Sequence, residues 1–222
     1  MRPLKKKLEK TFEKKKEVIK NPRLILVRHG QSLWNKENRF TGWVDVPLTE
    51  QGIQEARLAA TQIKDIHIDV AYTSGLRRVA DTLETMLKIS GTNVPVIADP
   101  ALNERAYGDL QGLNKDEARK EFGDEQVLIW RRSYDIHPPN GESLKDTAER
   151  TLPFFERCIM GDIKQGKNVL VVAHGNSNRS IVMKLDKLDK DQVIKLELET
   201  GVPVVYHFSM KGEVQKKEIL NY

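Results

Sequence analysis

From residue 24 onward, short apolar runs alternate with longer segments whose apolar residues recur every three or four positions. The short runs predict β-strands and the longer segments predict α-helices. The predicted strands are Leu24–Val27, Val70–Thr73, Val94–Ala98, Val169–Ala173, Val202–Phe208 and Val214–Leu220. The predicted helices are Thr49–Ile66, Leu76–Ile89, Lys115–Phe122, Asp124–Arg132 and Ser143–Met160.

The strands at Leu24–Val27 and Val169–Ala173 are apolar on consecutive residues, not on alternate ones. Such runs are typical of strands that are covered on both faces. Together with the alternation of strands and helices, they predict an α/β fold. We expect a three-layer sandwich with a mostly parallel central sheet flanked by helices, and an active site at the carboxyl ends of the strands.

Charge divides the chain into two parts. The net charge is +5 over 222 residues, yet residues 1–22 hold nine Lys or Arg and three Glu, which leaves the remainder at −1. We therefore interpret residues 1–22 as a basic N-terminal extension and residues 23–222 as the catalytic domain. Leu4, Leu8 and Phe12 recur every four residues in the extension and favour a solvated helix over a tether to a membrane or nucleic acid.

Composition narrows the cellular setting and the partners. No apolar run approaches the roughly 20 residues that a membrane span needs. Cys158 is the single cysteine, so an internal disulfide is excluded and a reducing cytoplasm fits. We expect a cytoplasmic protein with neither nucleic acid nor membrane as a partner; formation of a homo-oligomer is left open.

Two histidines stand just past the ends of apolar strands. His29 follows Leu24–Val27 and Arg28, and His174 follows Val169–Ala173; each is followed by a glycine. Because the carboxyl ends of parallel strands share one edge of a sheet, both imidazoles are expected in one crevice. No HxxxH or HxH spacing accompanies them, and Arg28 is a poor neighbour for a dication, so no metal is predicted.

Arginines near these histidines point to an anion instead. Arg28 precedes His29, the pair Arg77–Arg78 follows another predicted strand, and Arg131–Arg132 form a second pair. Guanidinium groups match phosphate oxygens, and a neutral imidazole among them is a workable phosphoryl acceptor. Glu104, in the polar segment 102–112, is the candidate proton donor; the alternative is an exposed carboxylate paired with Arg105.

Several motifs resemble one known family when taken together. The motifs LVRHGQSLWN, FTGW, TSGLRRVADT, LNERAYGDLQGLNK, WRRSYD and VVAHGNS occur in that order from residue 26. They are similar to those of the 2,3-bisphosphoglycerate-dependent phosphoglycerate mutases of the histidine phosphatase superfamily, in their short form. RHG alone is common to the whole superfamily, whereas FTGW, ERxYGxLxGLNK and WRR belong to the mutase branch.

The resemblance implies interconversion of 3-phosphoglycerate and 2-phosphoglycerate in glycolysis and gluconeogenesis, primed by 2,3-bisphosphoglycerate and needing no metal. It implies that His29 becomes the phosphohistidine, that Glu104 is the general acid and base, and that Arg28, Arg78 and His174 clamp the transferring phosphoryl group. The implied substrate-binding residues are Ser32, Asn35, Thr41, Gly42, Arg105, Tyr107, Lys115, Arg131, Arg132, Gly175 and Asn176.

Two positions depart from the family pattern, and two other functions stay open. Ala106 stands where many members have His, so a contact from that ring is lost. Asn178 stands where Leu is usual, so a looser packing of its own helix is expected. One alternative is a histidine-type phosphatase that acts on small phosphorylated metabolites, with water as the acceptor. The other is a non-catalytic binding module whose active part is the basic extension.

Overall fold

The structure is a computed structural model, and it describes residues 21–221. The predicted helix of the basic extension lies outside these residues. Within them, no helix combines the length and the apolar character needed to cross a bilayer.

Strands and helices alternate as the apolar pattern predicted, but the structure adds a twelve-residue helix at Gly175–Asp186 that the predicted helices did not include. The strands are β1 (Arg23–Arg28), β2 (Val70–Thr73), β3 (Val96–Ala98), β4 (Val169–Ala173), β5 (Pro203–Phe208) and β6 (Val214–Ile219). The helices are α1 (Leu33–Lys36), α2 (Glu50–Gln62), α3 (Arg77–Ser90), α4 (Lys115–Phe122), α5 (Asp124–Arg132), α6 (Leu144–Phe154), α7 (Met160–Lys164), α8 (Gly175–Asp186) and α9 (Lys190–Val193).

The six strands form one sheet in the order β3-β2-β4-β1-β5-β6. The four strands β3, β2, β4 and β1 are parallel, and β5 runs antiparallel to both β1 and β6. The mostly parallel sheet is confirmed. Its four parallel strands deliver their carboxyl ends to a single edge, which we call the catalytic edge.

Helices cover both faces of this sheet, as expected for a three-layer sandwich. On one face, alternate residues such as Leu24 and Val171 pack against α6, α7 and α8. On the other face, Ile25 and Val172 pack against α2 and α3. Because successive side chains of a strand point to opposite faces, an unbroken apolar run fills both cores.

A third, smaller cluster lies beyond the catalytic edge. Phe40, Leu110, Ala118 and Val127 are buried together beneath α4 and α5. Gly42 and Gly108 turn the chain here with positive φ angles. The polar segment 102–112 is mostly irregular: a short 3-10 turn at Pro100–Leu102 leads into it, and a second one at Gly108–Leu110 lies within it. This cluster packs the segment around Phe40, the segment around Leu110 and the helices α4 and α5 against one another.

The predicted helix Ser143–Met160 differs from the structure. Helix α6 ends at Phe154, a π-helical turn covers Phe155–Ile159, and α7 continues to Lys164. Pro153 lies inside α6 and has no N–H to donate, so the regular bonding pattern is interrupted just before the π turn.

Candidate active site

Two histidines lie side by side at the catalytic edge. His29 follows β1, and His174 follows its parallel neighbour β4. The backbone N–H of His29 donates to the carbonyl of Ala173 at 3.0 Å, so the strand ladder fixes the offset between the two residues. Their ring centroids are 5.2 Å apart at an interplanar angle of 67°, and both rings are buried. The two imidazoles therefore lie in contact at one edge of the sheet, as their strand-end positions predicted, although of the two only His29 lines the cavity described below.

The proton of the His29 ring is held on one nitrogen. Nδ1 lies 2.7 Å from the carbonyl oxygen of Gly30, and a carbonyl only accepts, so Nδ1 carries the proton and Nε2 keeps its lone pair. Burial lowers the pKa of His29 well below its usual value, and the charges of Arg78, His174 and Arg28 lower it further. His29 is therefore a neutral imidazole at physiological pH.

His174 is oriented by a different strand. Its Nε2 lies 2.8 Å from the hydroxyl oxygen of Ser74, which directly follows β2. Burial lowers the pKa of His174 well below its usual value, and Arg78, Arg150 and Arg28 add to this effect. The second imidazole is therefore neutral as well.

Two arginines are fixed against backbone carbonyls with part of their donors unused. Arg28 donates from Nη1 to Leu198 at 2.9 Å. Arg78 is fully buried and donates to the carbonyls of Val44 at 3.0 Å and Gly42 at 2.7 Å. Burial lowers the pKa of Arg78 to about 10, so it remains a cation at neutral pH. The Nε groups of both arginines are buried without a hydrogen-bond partner among the described residues.

Glu104 is buried, contrary to the alternative of an exposed loop carboxylate. Its Oε1 accepts from the backbone N–H of Arg105 at 2.8 Å and from the side chain of Asn176 at 2.8 Å. The N–H groups of Gly175 and Asn176, at the first turn of α8, donate to the same carboxylate at 3.1 Å each. Burial alone would raise the pKa of Glu104, but these hydrogen bonds and the charges of Arg28 and Arg78 hold it below its usual value.

The backbone of Glu104 is also clamped. Its carbonyl accepts from the indole N–H of Trp43 at 2.5 Å and from Arg150 at 2.8 Å. Arg150 is held in turn by both carboxylate oxygens of Glu142, at 2.9 Å each. The carboxylate of Glu104 is therefore positioned from both its side chain and its main chain.

These groups open into one cavity of about 140 Å³. Of the predicted site residues, the structure places at its wall Arg28, His29, Asn35, Thr41, Arg78, Glu104, Tyr107, Lys115, Arg131, Arg132, Gly175 and Asn176. Residues from β1, α3, α4, α5 and α8 therefore come together although they are far apart in sequence.

Four predicted residues lie behind the wall. His174 backs His29, and Ser32 caps α1 through mutual hydrogen bonds with Asn35. Gly42 presents its carbonyl to Arg78. Arg105 is buried, donates to the carbonyl of Arg131 at 3.2 Å, and lies over the ring of Tyr107 at 4.6 Å. The structure thus places Arg105 as a support for two residues of the wall.

Four residues of the wall were absent from the sequence prediction: Arg39, Phe40, Arg179 and Glu197. Phe40 belongs to the motif FTGW, and Arg179 lies three residues after Asn176, so the sequence contained a reason to place each of them near the site. Glu197 carried none, because it lies in the loop before β5 and reaches the cavity only through the tertiary fold.

The structure shows the contacts of Ala106 and Asn178, the two residues that depart from the family pattern. Asn178 is buried in α8, and its amide donates to the carbonyl of Val27 at 3.1 Å, so the polar side chain ties the helix to β1. The expected looser packing is therefore offset by a hydrogen bond. The backbone N–H of Ala106 donates to Glu142 at 3.0 Å.

Comparison with known proteins identifies relatives of this chain. The profile of the histidine phosphatase superfamily (branch 1) matches residues 24–218. Among solved structures, a mycobacterial glucosyl-3-phosphoglycerate phosphatase in complex with VO3 is 26% identical, with a TM-score of 0.77 over 90% of this chain and 98% of that one.

Curated relatives are considerably closer in sequence. A 2,3-bisphosphoglycerate-dependent phosphoglycerate mutase of Parvibaculum lavamentivorans is 57% identical over 200 residues, which is 89% of this chain and 95% of the relative. A phosphoglycerate mutase of Schizosaccharomyces pombe is 53% identical over 201 residues, again 89% of this chain and 95% of the relative. The chain therefore belongs to the histidine phosphatase superfamily and, within it, to the family of 2,3-bisphosphoglycerate-dependent phosphoglycerate mutases.

Proposed function

We propose that this protein interconverts 3-phosphoglycerate and 2-phosphoglycerate through a phosphohistidine on His29, primed by 2,3-bisphosphoglycerate, in the cytoplasm. The observation that carries the proposal is a neutral imidazole with its Nε2 lone pair free, beside Arg28 and Arg78. Such an imidazole can attack phosphorus, while the guanidinium groups offset the charge on the transferring phosphoryl oxygens.

Priming and transfer use the same residues in opposite directions. In priming, Nε2 forms a bond to phosphorus, the bond from phosphorus to the leaving oxygen breaks, and protonated Glu104 gives that oxygen its proton. In transfer, a substrate hydroxyl attacks the phosphohistidine and loses its proton to the Glu104 carboxylate. A bound phosphoryl group would offset Arg28 and Arg78 and so raise the pKa of Glu104, which favours the protonated form that priming needs.

A second ring of cations favours a mutase over a histidine-type phosphatase. Lys115, Arg131 and Arg132 line the cavity outside the inner pair of arginines. A phosphoglycerate carries a carboxylate besides its phosphate, and a mutase must hold this molecule in two orientations. A phosphatase that releases its product after hydrolysis has less need of this outer ring.

Labelling with 2,3-bisphosphoglycerate tests the proposal. The label is expected on the protein in an acid-labile, base-stable bond, and it should chase into monophosphoglycerate. His29→Ala should take up no label, and a chelator should leave turnover intact because no metal is proposed. Phosphate release that matches or exceeds mutase flux would favour the phosphatase instead.

A further inference from the structure

The cavity is lined by seven basic residues and only two carboxylates among the residues that the structure describes. Glu104 is the proposed acid and base. Glu197 has no part in the phosphoryl transfer outlined above, yet an acidic side chain in an anion site works against binding unless it has a purpose of its own. The basic residues are Arg28, Arg39, Arg78, Lys115, Arg131, Arg132 and Arg179.

Glu197 bridges two of these cations. Its Oε1 accepts from Arg132, and its Oε2 accepts from Nη2 of Arg179 at 3.1 Å. The Glu197 side chain is 59% exposed, whereas that of Arg179 is only 13% exposed. Partial burial alone would raise the pKa of Glu197, but the hydrogen bond from Arg132 and the charge of Arg179 hold it below its usual value. Glu197 is therefore ionised at neutral pH.

Arg179 connects this bridge to the catalytic centre. Its Nη1 donates to the side-chain oxygen of Asn176 at 3.3 Å, and the amide nitrogen of Asn176 donates to Glu104. The Nε of Arg179 is buried without a partner in the described part of the chain. Arg179 therefore faces the cavity with donor capacity that is only partly used.

We propose that Glu197 is a built-in competitor for the second anionic group of the substrate. It occupies Arg132 and Arg179 while the site is empty, and the carboxylate of a phosphoglycerate must displace it from at least one of them. This inference rests on the proposed function, because it takes a substrate with two anionic ends as given.

Such a competitor weakens the binding of substrate and product alike. When the product leaves, Glu197 returns to its two arginines, so Arg132 and Arg179 are not left without an anionic partner. The effect is selective: an anion that binds only between Arg28 and Arg78 leaves the bridge in place. Glu197 thereby lowers the affinity for phosphoglycerates far more than the affinity for phosphate.

The opposite role makes an opposite prediction. If Glu197 only held Arg132 and Arg179 in position for the substrate, its removal would loosen them and weaken phosphoglycerate binding. The sign of the change in affinity therefore separates a competitor from a positioning residue.

The test is the variant Glu197→Gln, which keeps the size of the side chain and removes its charge. Glu199→Gln is the matched control, because Glu199 lies two residues further on, is exposed, and is not part of the cavity wall. Titration calorimetry with 3-phosphoglycerate and, separately, with inorganic phosphate gives the two dissociation constants. We expect Glu197→Gln to bind 3-phosphoglycerate about fivefold more tightly, as for the loss of one competing charge pair, and inorganic phosphate within twofold of wild type. Glu199→Gln should match wild type for both.

Turnover gives an independent readout. The KM of Glu197→Gln for 3-phosphoglycerate should fall, and kcat should stay the same or fall because the product leaves more slowly. The difference from wild type should shrink at high ionic strength, since Glu197 is more than half exposed.

Three results would overturn the inference: unchanged binding of 3-phosphoglycerate in Glu197→Gln, weaker binding, or equal tightening of phosphate and 3-phosphoglycerate. These outcomes leave the proposed function untouched as long as wild type binds 3-phosphoglycerate and takes up label. A wild type that does neither would remove the proposed function, and the inference with it.

Discussion

At the scale of single residues, the same few charges set two ionisation states that phosphoryl transfer requires. Burial lowers the pKa of His29, and Arg78 and Arg28 lower it further, so this residue stays neutral. Burial alone would raise the pKa of Glu104, but its hydrogen bonds and the charges of the same two arginines hold it below the usual value, so this residue stays ionised. A neutral imidazole is the state that can attack phosphorus in priming. An ionised carboxylate is the state that can accept the proton of the substrate hydroxyl when the phosphohistidine is discharged. Burial also strengthens the influence of the guanidinium charges on both groups, because water does not screen those charges.

Replacing the proposed acid and base tests this assignment. Glu104→Gln keeps the shape of the side chain but can neither accept nor release the transferred proton. We expect kcat for 3-phosphoglycerate to fall by about 10²- to 10⁴-fold, with phosphate affinity changed far less. Stopped-flow measurement of phosphoenzyme discharge checks this, with Glu199→Gln as the control for loss of an acidic charge. A discharge rate close to that of wild type would remove Glu104 from the mechanism.

How much of the site could be predicted from the sequence differs from residue to residue. His29 and His174 were predictable because a strand-end position fixes an edge of the sheet. Ser74 and Glu197 were not, since their contacts with His174 and with Arg179 join segments that only the tertiary fold brings together. Arg105 carried the expected charge, but its burial behind Tyr107 cannot be read from its neighbours in the chain.

At the scale of elements, the turn after β1 is held by backbone-to-backbone packing. A Cβ atom added to Gly30 would lie 2.1 Å from the carbonyl oxygen of Gly52, in the first turn of α2. The backbone N–H of Gly30 also donates to the hydroxyl of Thr82, in α3, at 3.2 Å. Two helices therefore fix the residue that follows the proposed nucleophile.

The variant Gly30→Ala is expected to force this turn away from α2. The clash involves main-chain atoms that cannot rotate aside, so we expect a loss of stability of about 1–3 kcal/mol and a fall in kcat as His29 moves. Urea unfolding and steady-state kinetics measure the two effects. Gly161→Ala is the matched control, because a Cβ atom there has no heavy atom within 4 Å other than those of its own helix and chain neighbours. Equal stabilities of Gly30→Ala and wild type would refute the close approach.

The predicted strands agree with the structure within two residues at either end, and the helices show where pattern reading stops. The consecutive apolar residues of β1 and β4 were sufficient to predict both strands. The apolar period of Ser143–Met160 continues through the π turn, so the interruption after Pro153 was invisible to it. The short helices α1 and α9 have four residues each, too few for any period to emerge.

At the scale of the whole molecule, two buried neutral histidines link stability to pH. The pKa values of His29 and His174 are below the usual 6.5 in the folded protein. Below pH 6.5 the unfolded chain therefore takes up protons that the folded protein does not. Folding loses stability as the pH falls through this range, and stability is fully present above it.

Urea unfolding at pH 7.5 and 5.5 measures this dependence. Each histidine is expected to contribute a slope of up to about 1.4 kcal/mol per pH unit below pH 6.5. His29→Gln should remove roughly half of the combined effect. A free energy of unfolding that stays constant between these two pH values would show that the buried imidazoles gain protons as readily as exposed ones.

The basic extension joins the domain at the side of the sheet remote from the proposed nucleophile. Arg23 opens β1, where its N–H donates to Asn168, and roughly 20 Å of strand separates it from His29. Deletion of residues 1–20 is therefore expected to leave turnover of 3-phosphoglycerate within twofold of wild type in a steady-state assay. Loss of turnover in a truncated protein that still folds would make the extension part of the site.

The central place of β1 has a consequence for how the protein is made on the ribosome. Its neighbours on either side are β4, which begins at Val169, and β5, which begins at Pro203. This early strand thus has no partner strand until residues 169–173 of the 222 have been translated, and its apolar residues stay exposed until then. The nascent chain is therefore expected to depend on chaperones. A chain released before residue 203 would lack β5 and β6 and would leave one side of β1 unpaired.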